Sequence, residues 1–103
     1  MRTLALACGA LLALGTAQAL AQPRAPPALL SARQDLRECI IRNAGWASAR
    51  AGATLDTVAD AAASKCEDRY VKVVTRRRLM DKAQAKVEVN SMAYDVANKI
   101  LSH

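Results

Sequence analysis

The chain of 103 residues has no phenylalanine, one tryptophan and two tyrosines. Proteins that bind single-stranded nucleic acid stack bases on aromatic faces set among basic residues, so nucleic acid is not the partner that we expect. The single histidine, His103, is the last residue, where chain ends are poorly ordered. No second histidine and no cluster of cysteines accompanies it. We therefore expect no metal site, no cofactor and no catalytic residue, and the sequence predicts a protein that is not an enzyme.

Proline and glycine are missing from most of the chain, since no proline follows Pro27 and no glycine follows Gly52. These two residues interrupt helices most strongly, and their absence from residue 53 onwards indicates helix. Apolar residues in this part recur at three- and four-residue steps, as they do on one face of a helix. The sequence predicts an all-α fold with a single helical domain over residues 31–103.

The first 21 residues are typical of a secretory signal peptide: a positive charge at Arg2, an apolar run over residues 4–15 and a cleavage site with small residues at Ala19 and Ala21. This run is shorter than the roughly 20 apolar residues that span a bilayer, so we expect cleavage near Ala21. The expected location is the periplasm or the extracellular space. Three prolines over residues 22–30 predict a flexible arm ahead of the domain.

Cys39 and Cys66 lie thirteen residues on either side of the Gly52-Ala53 junction. Two antiparallel helices joined there would bring both sulfurs level, and export favours oxidation of the pair. Catalytic cysteine pairs usually have two residues between them, whereas 26 residues lie between these. The spacing predicts a structural disulfide across an antiparallel helical hairpin, which would contribute about 3–4 kcal/mol by restricting the unfolded chain.

Two helices form this predicted hairpin, over residues 31–50 and 54–75. Ser31 and Gln34 fit a capping box at the start of the first helix, and Thr54 is the expected N-cap of the second helix. If opposed positions are counted from the junction, the Trp46 ring lies over Ala59, and a large side chain would interdigitate with small ones.

The apolar pattern changes phase after Val73. A long second helix and a third helix over residues 79–101 are both compatible with this change, and continuity is favoured because no breaker residue lies near Arg76. Two apolar lines follow, and one of them comprises Val89, Met92, Val96 and Ile100. The wide apolar surface that the two lines form over residues 79–101 needs cover from the hairpin, a second copy or a different partner. The other line comprises the candidate partner-binding residues Leu79, Ala83, Val87, Tyr94 and Leu101.

The densest basic stretch overlaps the start of this apolar surface, and basic charge beside apolar side chains is typical of helices at membrane interfaces. The stretch is either a solvated, partly ion-paired surface or an anion site. The candidate anion-binding residues are Lys72, Arg76, Arg77, Arg78, Lys82 and Lys86.

Two functions are compatible with these features. The first is a small exported, non-enzymatic interaction or scaffold protein of the cell envelope, which binds an unknown protein partner or associates with itself. The alternative is a binder of anionic surfaces, either lipid phosphate or an acidic cell-wall polymer, through the basic stretch over residues 72–86. The formal net charge of +6 favours acidic partners in general.

Overall fold

The computed structural model describes residues 25–103, and this part of the chain forms three α-helices and no strand. Helix α1 is Pro27–Ser48, α2 is Leu55–Arg76 and α3 is Lys82–Leu101. The all-α fold that the sequence predicts is thus confirmed. The predicted signal peptide and the first residues of the predicted arm lie outside the described residues.

Helix α1 begins four residues earlier than the sequence predicts, at Pro27. Its N-cap is Pro26, whose side chain makes no capping hydrogen bond. Proline is tolerated at the first helical position because the N–H that it lacks would have no helical partner there. The capping box predicted at Ser31 and Gln34 is therefore wrong, and so is the end of the arm at residue 30. Leu29 is buried in the core, which explains why the helix extends this far.

The connection between α1 and α2 contains Gly52 in the left-handed region, at φ 77°. It does not cap α1, because that helix ends at Ser48 with Ala49 as its C-cap. The predicted N-cap of α2 is confirmed. Thr54 Oγ1 accepts from the Thr57 amide at 3.2 Å, and the Thr54 amide donates to Thr57 Oγ1 at 2.9 Å. This reciprocal capping box defines where α2 begins.

Helix α2 ends within the basic run after Val73. The single long helix that the sequence favours is therefore wrong, and the alternative of a separate third helix is the one observed. Arg78 takes a positive φ of 54°. Its amide donates to the Thr75 carbonyl at 3.1 Å, and the Leu79 amide donates to the Val74 carbonyl at 2.8 Å. These two bonds form a Schellman motif, in which glycine is the usual left-handed residue. Val74 is buried and Leu79 packs against the same core, and this packing offsets the strain of an arginine there.

All three helices contribute to one core that consists mainly of alanine and valine. The line of Val89, Met92, Val96 and Ile100 on α3 belongs to it, with Val89 fully buried. The predicted cover of Ala59 by Trp46 is wrong, because the tryptophan is 67% exposed. Buried positions on α1 end with Ala44, and two further residues rotate Trp46 by more than half a turn away from that side.

Candidate interaction surface

The predicted disulfide is present between Cys39 of α1 and Cys66 of α2, with a Cα–Cα distance of 5.9 Å. Asn43 Nδ2 donates to the Cys39 carbonyl at 2.8 Å and lies 3.6 and 3.7 Å from the two sulfur atoms. Cys66 is only 2% exposed. The bond therefore ties two helices at a largely buried position, as a structural disulfide does.

A second link between the helices is the carboxylate of Glu88 on α3. It accepts from Arg33 of α1 in a bidentate pair, through Nε at 2.6 Å and Nη2 at 3.0 Å. The Tyr70 hydroxyl of α2 donates to the same carboxylate. One side chain thus joins all three helices. The sequence gives no signal for this junction, since Arg33 and Glu88 are 55 residues apart.

Contacts within this junction shift the pKa values of Glu88 and Tyr70. Hydrogen bonds from Arg33, opposed by burial and assisted by Tyr70, lower the pKa of Glu88. Burial, assisted by the hydrogen bond to Glu88, raises the pKa of Tyr70 to about 12. Glu88 is therefore ionised and Tyr70 is neutral at neutral pH. These shifts indicate a structural contact, because each group supplies the hydrogen-bond partner that the other needs.

A groove of about 350 Å³ lies between α1 and α2 beside the disulfide. Its rim carries both signs of charge. The acidic residues are Asp35 and Glu38 of α1, and the basic residues are Arg42 of α1 and Lys65 and Arg69 of α2. These charges do not form a field of one sign. The groove thus offers little electrostatic selection for an anion or a cation.

The predicted partner-binding line divides in the structure. Leu79 lies in the connection between α2 and α3 and packs against the core. The other four residues lie on α3 and all are exposed. Among the three large side chains, Val87 is 67% exposed, Leu101 39% and Tyr94 37%. We call these four residues the α3 stripe: Ala83, Val87, Tyr94 and Leu101.

Acidic side chains of α2 border the α3 stripe, a feature that the sequence analysis missed. The Tyr94 hydroxyl donates to Asp56 Oδ1 at 2.9 Å. This hydrogen bond, with smaller contributions from desolvation and from the negative charges of Asp56 and Asp60, raises the pKa of Tyr94. Glu67 lies 3.7 Å from Lys86, the residue before Val87. We call Asp56, Asp60 and Glu67 the acidic row. They are spaced by four and seven residues, which places them on one helix face, and this spacing is the sequence signal that could have predicted the row.

The predicted anion-binding residues gather where α2 meets α3. Lys72 and Arg76 lie in the last turns of α2, Arg77 and Arg78 lie in the connection, and Lys82 begins α3. All five are exposed. Lys86 is one turn further along and faces Glu67 instead. Asp81 lies within the group, but its carboxylate caps α3 by accepting from the Gln84 amide at 2.7 Å.

Within residues 25–103 no group of three or more histidine, cysteine, aspartate or glutamate side chains is placed to hold a metal ion. None of the helices that the structure describes combines the length and the apolar character needed to cross a membrane.

Comparisons of the chain with protein-family models, with curated proteins and with solved structures found no match. The surfaces of the molecule are therefore the basis for assigning a function.

Proposed function

We propose that the protein is a small exported, non-enzymatic interaction protein of the cell envelope, and that the α3 stripe is its partner-binding surface. The observation that carries this proposal is the exposure of Val87, Tyr94 and Leu101 on one regular helix. Isolated exposed apolar residues are common on soluble proteins and need no explanation. These three, however, recur at intervals of seven residues.

A seven-residue interval is the repeat by which one helix packs along another. Ala83 and Asn90 lie four residues before and three residues after Val87, in the positions that would complete such a seam. Full burial of a valine or leucine side chain contributes about 1.5–3 kcal/mol. The side chains of the stripe are partly exposed, so a docked helix would recover a fraction of this amount at each of them.

The scaffold in this proposal is an antiparallel hairpin of α1 and α2, held by the Cys39–Cys66 disulfide. It is supported by the short connection of residues 49–54 between the two helices and by the equal spacing of the cysteines from that connection. The Glu88 junction then fixes α3 against both members of the hairpin. A rigid scaffold lowers the entropic cost of presenting a binding surface.

The experiment that tests the proposal compares native sizes in a gently solubilised envelope fraction. The wild-type protein is expected to migrate in a complex, whereas Val87→Lys is expected to migrate alone because a charge enters the seam. Lys99→Glu is the matched control, since Lys99 is exposed on the side of α3 that faces Arg33 and Arg37 of α1. A complex that survives Val87→Lys, or one that Lys99→Glu disrupts equally, would contradict the proposal.

Export is also part of the proposal and is supported by the disulfide, since such bonds persist in oxidising compartments. The measurement is the N-terminal sequence of the protein recovered from the cell. Cleavage near Ala21 predicts a mature chain that begins at Gln22. A full-length chain in a reducing compartment, with Cys39 and Cys66 both as free thiols, would contradict export.

A second candidate function, the binding of anionic surfaces, is favoured by the exposed basic group at the α2–α3 connection. Its test is co-sedimentation with vesicles of anionic or neutral lipid at low and high salt, comparing wild type with Arg76→Gln/Arg77→Gln. Charge-led binding requires anionic lipid and weakens with salt because counterions screen it. Equal binding to neutral vesicles, or binding that salt leaves unchanged, would exclude this function.

A further inference from the structure

We infer that the partner of the α3 stripe is an amphipathic helix with a basic flank, which lies along α3 with its cations against the acidic row of α2. The inference rests on the proposed function and adds the chemistry of the partner. It is carried by the juxtaposition of two surfaces. Apolar side chains at helical spacing supply the seam, and carboxylates along one side of that seam supply the charge.

The two surfaces are adjacent at both ends of the acidic row. At one end, Asp56 accepts the hydrogen bond from Tyr94 at 2.9 Å, so the carboxylate touches the stripe directly. At the other end, Glu67 lies 3.7 Å from Lys86, which precedes Val87 in the chain. Asp60 lies between them on the same face of α2. A helix seated on the stripe therefore has a line of carboxylates along its flank.

The sign of this charge is opposite to that of the protein as a whole. The chain has a formal net charge of +6, and its densest cations lie at the α2–α3 connection. Lys86 faces the acidic row, where it pairs with Glu67. Among the described residues Asp60 forms no ion pair. Asp56 accepts one hydrogen bond, and a carboxylate group has further acceptor sites. Lysine or arginine side chains flanking a helical seam are the groups that pair with such carboxylates.

A second copy of the chain is less complementary to this surface than a basic helix. Two copies that met through their α3 stripes would each bring the same acidic row and the same net positive charge to the contact. Charge complementarity raises association rates and excludes wrong partners. The row therefore selects a partner whose sign differs from its own, which a helix with lysine or arginine along one flank supplies.

The experiment uses two fluorescent synthetic helical peptides with identical leucine seams, one flanked by lysine and the other by glutamate. The oxidised protein is titrated into each and the dissociation constant is measured by anisotropy. We expect the lysine-flanked peptide to bind and the glutamate-flanked peptide to bind much more weakly. Asp60→Asn/Glu67→Gln should weaken the lysine-flanked complex by about 2- to 30-fold, the range expected when two rim ion pairs are lost.

The matched control is Asp68→Asn/Asp95→Asn, which removes two exposed carboxylates that the helical turn directs about 100° away from Glu67 and Tyr94, their chain neighbours. It should leave the affinity unchanged, and helical content by circular dichroism verifies that all variants fold. Equal binding of both peptides, or no binding of the lysine-flanked peptide, would overturn the inference. Such a result leaves the proposed function intact if Val87→Lys still disrupts the native complex. Dimers that Val87→Lys abolishes in sedimentation would assign the stripe to a second copy and would also overturn it.

Discussion

The most informative stability test is Glu88→Gln, because it removes the charge of the one side chain that joins all three helices. Glu88 accepts three hydrogen bonds, two from Arg33 and one from Tyr70. Hydrogen bonds to charged groups contribute about 1.5–3 kcal/mol, but the side chains of Arg33 and Glu88 are 36% and 22% exposed. Water partly replaces the lost partner, and we expect the variant to lose about 1–2 kcal/mol of unfolding free energy at neutral pH.

The pH dependence of this loss follows from the direction of the pKa shift. Arg33 holds the pKa of Glu88 below its ordinary value of 4.5, so the folded state favours the ionised form more than the unfolded state does. The stabilisation is complete above the ordinary pKa and disappears as the pH falls through the lowered one. The difference between wild type and Glu88→Gln should therefore be constant at neutral pH and shrink in acid.

The assay is urea unfolding of the oxidised protein, followed by circular dichroism over a series of pH values. Glu67→Gln is the control, because its ion pair with Lys86 is longer, at 3.7 Å, and is expected to contribute less than about 1 kcal/mol. A double-mutant cycle with Arg33→Gln measures the coupling itself. Equal losses for Glu88→Gln and Glu67→Gln, with no dependence on pH, would refute the role of the junction.

Four further predictions concern Tyr70 of the same junction and three features elsewhere in the fold. Tyr70→Phe should remove a loss of stability that the wild type shows between about pH 10 and 12, because the pKa of Tyr70 rises from 10.0 to about 12 on folding; an unchanged alkaline profile would contradict this. Arg78→Gly should raise the unfolding free energy by about 0.5–1 kcal/mol, since glycine adopts the left-handed conformation without strain, and a decrease would show that Arg78 is not strained. Trp46→Ala should cost less than about 0.5 kcal/mol, and iodide should quench the exposed indole in the native state; a shielded indole would contradict its 67% exposure. Reduction of the Cys39–Cys66 bond should lower the unfolding free energy by about 3–4 kcal/mol, and a loss well below that range would mean that the bond restrains the unfolded chain little.

Local signals in the sequence were sufficient for the disulfide and for the start of α2. The cysteine spacing about Gly52-Ala53 predicted the bond, and Thr54 lies in a capping box that depends on residues 54–57 alone. Local signals of this kind could not predict where α2 ends. Arg78 is not a residue that breaks helices by propensity, and its conformation is maintained by Val74 and Leu79, which belong to the tertiary core.

Tertiary packing also decided which parts of the first and third helices face the core. Ser31 and Gln34 have the residue types of a capping box, yet burial of Leu29 extends α1 to Pro27. Both apolar lines of the C-terminal segment have helical spacing, and only the packing of the three helices determines that Val89 is buried while Val87 is exposed. The acidic row required the same information, because its importance comes from its position beside Tyr94.

Site-specific photo-crosslinking in the native compartment would show whether a partner lies on the α3 stripe. A photoreactive amino acid is placed at Val87 in one variant and at Lys99 in another, two exposed positions of α3. The proposal predicts a discrete adduct from position 87, which excess wild-type protein displaces, and none from position 99. Adducts of equal yield from both positions, or none from position 87, would contradict it.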